Sequence, residues 1–114
     1  MKALKRIVMR KVGVMFPNPA LRTRIEKELQ RYGDDDEPQV ERVRLAILKL
    51  CAGDPDKINI AGAKEDPQAI IEGAEHPERM DAAIKNRKLR PEEEEMIEAR
   101  DWEQYHEWLS EGLK

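Results

Sequence analysis

Apolar residues recur along most of this chain with helical spacing, and prolines mark where the runs begin. Leu21, Ile25, Leu29 and Tyr32 fall at i, i+4, i+8 and i+11, a narrow stripe on a charged segment. About residues 38–52 form the most apolar run. Val40, Val43, Ala46, Ile47, Leu50 and Cys51 cover one broad arc, widened by Leu45 and Leu48, with Arg42 and Lys49 opposite. That pattern predicts a central core helix. Further on, Ile70, Ile71 and Ala74 share a face, as do Met80, Ala83, Ile84 and Leu89. A last arc gathers Ile97, Trp102, Tyr105, Trp108 and Leu109, with Gly112 as its stop.

Proline suits the first turn of a helix, where its missing N–H costs nothing, and disfavours helix for the residue before it. Asn18-Pro19, Asp54-Pro55 and Asp66-Pro67 put a capping side chain directly before such a start. Glu37-Pro38, His76-Pro77 and Arg90-Pro91 are weaker versions. The result is an expected single all-α domain of five or six short helices, crossing steeply because the corners are tight. KINIAGA (57–63) alternates Ile58 and Ile60 as a strand would and contains Gly62, yet no partner strand is evident, so a short helix is expected there. RIVMRKVGVMF, inside residues 1–16, reads as helix or as strand, and both remain open.

The stretch CAGDPDK (51–57) sets the one cysteine beside two aspartates, which resembles a reactive loop. Each residue also has a structural task. Cys51 lies on the apolar arc, Gly53 suits a helix end, Asp54 caps the next helix, and Asp56 suits a first turn. A nucleophilic thiolate needs a base and positive surroundings, whereas the neighbours here are acids. The reading is a joint. From VRLAILKLCAGDPDK to EDPQAIIEGAEHPERM the chain is similar to a segment of small uncharacterised bacterial helical proteins, covering residues 40–80. There, a leucine-rich helix, a Gly-Asp corner and a second helix lead to an Ala-Glu-aromatic-Pro corner; His76 stands in the aromatic position. The resemblance implies helices and does not indicate a function.

Charge changes the picture more than composition does. Residues 1–25 hold seven basic side chains and no acid, and the remainder holds 14 basic and 24 acidic ones, so +7 faces −10 within a net −3. A basic arm (1–16) on an acidic helical domain (17–114) either folds back on carboxylates or reaches an anionic partner. With 114 residues and roughly 65% of the unfolded surface buried, one core is feasible. Aliphatic residues must fill it, since there are only five aromatics: Phe16, Tyr32, Trp102, Tyr105 and Trp108. One cysteine cannot make an internal disulfide, which points to a reducing, cytoplasmic setting. No apolar run approaches the ~18 residues of a membrane span, and Arg10 and Lys11 interrupt any signal-like segment.

Catalytic and metal patterns are sparse. Glu103 and His106 form an E-x-x-H, but His76 has Gly73 in place of the second glutamate. Asp34-Asp35-Asp36 lacks the alternation of a calcium loop. Ser110 and Thr23 have no evident base, and Ala61-Gly62-Ala63-Lys64 is no phosphate loop. A helix-turn-helix around CAGD would offer Asp54, Asp56, Glu65 and Asp66 to phosphates, against Lys57 and Lys64. Lys85, Arg87, Lys88 and Arg90 end one helix where Glu92–Glu95 begin the next, which suits both dipoles. The expectation is a non-enzymatic interaction or regulatory protein without cofactor or metal. It would bind a protein partner or a second copy through Trp102, Tyr105 and Trp108. The alternative is nucleic-acid or anionic-membrane binding through Lys2, Lys5, Arg6, Arg10 and Lys11.

Overall fold

The computed structural model describes residues 6–33 and 39–111. Seven α-helices follow in order: α1 Arg6–Met15, α2 Pro19–Gln30, α3 Val40–Cys51, α4 Ile60–Glu65, α5 Pro67–Glu75, α6 Pro77–Ile84 and α7 Pro91–Ser110. A single 3₁₀ turn, Pro55–Lys57, stands between α3 and α4. The chain is all-helical, with no strand among the described residues. The count of five or six is corrected to seven among the described residues. Lys2, Lys5, the aspartates of 34–36, the Glu37-Pro38 start and the Gly112 stop lie outside the described residues.

The extra helix is α1, and its backbone rules out the strand reading. Val8, Val12 and Phe16 recur every fourth residue, so a helix puts all three on one side, where they are buried in the main core. Lys11, adjacent to Val12, is buried on that side as well, whereas a strand would have sent these two neighbours to opposite faces. Through Val8, Val12 and Phe16, residues 6–16 thus pack against the helices that follow.

The Asx-Pro corners work as local chemistry requires. Asn18 Oδ1 accepts from the Ala20 and Leu21 amides at 3.0 and 3.2 Å, and Asp66 Oδ1 accepts from Ala69 N at 3.1 Å. At Asp54 the start is shorter than expected. Its side chain accepts from Asp56 N at 3.0 Å, but only the 3₁₀ turn comes after it. The helix begins five residues later, where Asn59 Oδ1 accepts from Gly62 N at 2.9 Å. A Cβ on residue 62 would collide with that Asn59 side chain, so the glycine clears space for its own cap. The CAGD corner turns on two left-handed residues, Ala52 at φ 50° and Gly53 at φ 81°, with Asp54 N bonded to Cys51 O at 2.9 Å.

α3 is the centre of the molecule. Its Val40, Val43, Leu45, Ala46, Ile47, Leu48 and Cys51 are buried, and it packs most extensively along α5, with α1 on another side. Two details differ from the expected arc. Leu50 is 42% exposed, and Arg44 is buried at 2%. Arg44 donates from Nε to Leu29 O and from Nη2 to Tyr32 O, both at 3.1 Å. These carbonyls lie at the C-terminal end of α2, where a cation also meets the negative end of the helix dipole.

α6 and the first half of α7 pack differently. On α6 the buried residue is Ala82, not Ala83 or Ile84, and Ile84 is 74% exposed. Neither His76 nor Arg90 provides a side-chain cap. The cap of α6 comes instead from α7: buried Asp101 accepts from Glu78 N and Arg79 N, each at 3.1 Å. Alongside, Arg100 grips Glu78 through Nε at 3.1 Å and Nη2 at 2.6 Å.

Candidate interaction groove

α5 packs along α3 and touches α7, and a groove opens between the first two turns of α3 and the C-terminal half of α7. Its volume is about 540 Å³. Val40, Leu45, Tyr105 and Leu109 form apolar walls, and Trp102 and His106 stand on the α7 rim. A second lobe of about 500 Å³ continues past Trp102, lined by Arg42, Glu75, His76, Glu95, Glu98 and Ala99.

Arg42 and Glu75 are shared by both lobes. The guanidinium meets the carboxylate through two parallel hydrogen bonds, Nε to Oε2 and Nη2 to Oε1, each 2.6 Å. Glu75 is buried whereas Arg42 is exposed, so the pair presents its cationic member to the groove. The Glu75 hydrogen bond holds Arg42 even more firmly protonated than usual. Burial pushes the Tyr105 phenol up to about 12; the Glu75 charge adds to the rise and Arg42 opposes it. The phenol is therefore neutral at physiological pH and serves as an apolar wall with a polar end.

The three aromatics named from the sequence have separate fates. Trp102 is 54% exposed and meets the His106 ring edge-on at 4.5 Å. Tyr105 is buried and stacks on Trp108 at 5.7 Å, with 27° between the rings. Trp108 is half-buried and turns toward α1 and the core. There the Lys11 ammonium sits 4.2 Å from the ring centroid, donates to Trp108 O, and lies 3.9 Å from Glu111. Trp102 and Tyr105 thus line the groove, and Trp108 joins α7 to α1.

Lys11 departs from the anion-binding expectation. It is 2% exposed, and burial pushes its ammonium below the usual lysine range while Glu111 partly restores it. Arg6 and Arg10 are exposed on α1. Cys51 is fully buried, its thiol bonded to Leu48 O at 3.0 Å and pushed up in pKa by burial, as a joint residue would be. Among the described residues no group of three or more His, Cys, Asp or Glu side chains could hold a metal ion, and no helix is long and apolar enough to cross a membrane.

Sequence reasoning singled out neither Glu75 nor Leu109 as a groove residue, and it placed Arg42 only as polar. Arg42 and Glu75 stand 33 positions apart, so no local pattern could pair them. The Pro77 corner after His76 was the one available sign, since it ends α5 just past Glu75. Compared with models of known families, with curated proteins and with solved structures, the chain finds no match.

Proposed function

We propose that this protein is a non-enzymatic interaction or regulatory protein that holds a segment of a protein partner between α3 and α7. The observation that carries the reading is the groove itself: apolar walls, a half-exposed tryptophan on the rim and a fixed ion pair between the lobes. Such a surface suits a large apolar side chain as anchor. Glu41, Glu75, Glu95 and Glu98 line the two lobes against one guanidinium, that of Arg42, so the partner segment carries lysine or arginine next to its anchor.

The alternative, contact with nucleic acid or an anionic membrane through the basic residues of 1–11, draws on less. Of the described cations there, Lys11 is turned inward and only Arg6 and Arg10 face outward.

Selection of a displayed peptide library on the folded protein tests the groove. Apolar-basic peptides are expected, and Trp102→Ala is expected to weaken them about tenfold or more. Because Trp102 is largely outside the core, that substitution leaves the fold in place. A selection without binders, or binders indifferent to Trp102→Ala, would overturn the reading.

A further inference from the structure

We infer that the segment held by the groove is α1 of a second copy of this chain, presented through Arg6, Met9 and Arg10. The inference rests on the groove being a protein-binding surface and names its occupant.

On α1, Arg6 and Arg10 share the face opposite Val8 and Val12, and Met9 lies at the edge of that face, one turn from Arg6. Arg6 and Arg10 are exposed, and Met9 is 43% exposed, an unbranched apolar side chain left in water beside two cations. Neither arginine makes an ion pair among the described residues, and α1 carries no acid. Across the groove, Glu95 and Glu98 lie one turn apart on α7, both exposed, and neither is in an ion pair among the described residues. One helical turn separates Arg6 from Arg10 and Glu95 from Glu98, so two cations with an apolar residue at their side face two anions beside Trp102. The match is in sign and in spacing. Methionine also adapts its shape to irregular walls such as those between Trp102 and Leu109.

The two surfaces are neighbours within one molecule. The buried side of α1 reaches the C-terminal end of α7 through Lys11 and Trp108, and Leu109 lies at that same end of the groove. A two-fold axis that sets each α1 on the other copy's groove forms both contacts together and closes the assembly as a dimer. Exposed ion pairs contribute little singly, whereas a closed dimer makes each of them twice and covers Met9 and Trp102 from water.

Sedimentation over a range of concentrations and salt tests this directly. The wild-type chain is expected to associate at about 50 mM salt and to weaken several-fold or more at about 500 mM, where the Debye length shrinks. Arg6→Glu with Arg10→Glu, and separately Glu95→Arg with Glu98→Arg, are each expected to leave a monomer. An equimolar mixture of the two variants is expected to recover dimer, because each reversed face then meets an opposite one; the recovery also proves both variants folded. A wild type that stays monomeric throughout, or a dimer indifferent to both reversals, would overturn the assignment. So would variants that stay apart when mixed, or Arg6 and Arg10 proving necessary only for binding DNA or anionic vesicles. If peptide selection still yields Trp102-dependent binders in those cases, the groove reading stands and only its occupant is wrong.

Discussion

The half of the molecule built on α1 to α3 and the half built on α6 and α7 are stabilised by different means. In the first, Val8, Val12, Phe16, Ile25, Leu29, Ile47 and Leu48 meet in a continuous apolar cluster, and the polar intruders Lys11 and Arg44 are fitted with acceptors inside it. In the second, buried apolar residues are few: Ala82 on α6, and Ile97 and Tyr105 on α7. Position there is set by directed bonds, from Asp101 to two amides and from Arg100 to Glu78. Apolar burial is strong and undirected; a carboxylate on two amides is weaker and orients what it touches. The groove lies along the boundary between these regimes, with one wall from each.

Three measurements would break or sharpen that contrast. The largest effect belongs to the apolar half: Leu48→Ala, at a fully buried position, is expected to cost about 3–5 kcal/mol and to lower the denaturant midpoint of the whole molecule. A loss near that of an exposed site would mean that α3 is not the centre of the core. Next, Asp101→Ala removes the shared acceptor of two α6 amides and is expected to cost about 1–3 kcal/mol. Hydrogen exchange should speed up in α6 and the first half of α7, with α1 to α3 unchanged; uniform loss of protection would erase the distinction between the halves. The smallest concerns Tyr105 at the boundary. Its folded pKa, about 12, lies above the unfolded value near 10, so the stability tied to its neutral form is complete below pH 10 and lost as pH rises toward 12. The decline is at most about 1.4 kcal/mol per pH unit in that window. Lys11, depressed in the fold, contributes with the opposite sign. Tyr105→Phe keeps Lys11 and should flatten the decline when midpoints are compared at about pH 9 and pH 11; identical slopes would show that the phenol is not held neutral by the fold.

Legibility in the sequence divides along the same line. Corners with an acceptor beside the proline, such as Asn18-Pro19 and Asp66-Pro67, are complete within a few residues, and they start helices where expected. The buried face of α3 was visible from periodicity because apolar residues dominate it. Arg44 was not, since its acceptors are carbonyls 12 and 15 positions away and nothing local distinguishes it from Arg42. On α6 the expected face was off by one residue because Asp101, from another helix, fixes that helix's start. In α1 the four-residue spacing of Val8, Val12 and Phe16 was present in the sequence, but Arg10 and Lys11 obscured it; burial of a lysine becomes intelligible only with Trp108 and Glu111 in view. Of the groove, the aromatic rim was legible, and the Arg42–Glu75 pair between its lobes was not.

Lys11 and Trp108 are separated by 97 positions, and this has a consequence for how the chain matures on the ribosome. The ammonium can leave water only once the distant carbonyl and indole exist to receive it, and such long-range closures are slow to form. During synthesis the first helix must therefore wait for its partner until Trp108, 97 positions later, has been made. Of the contacts that α1 makes, the stitch between Lys11 and Trp108 is then among the last to be drawn.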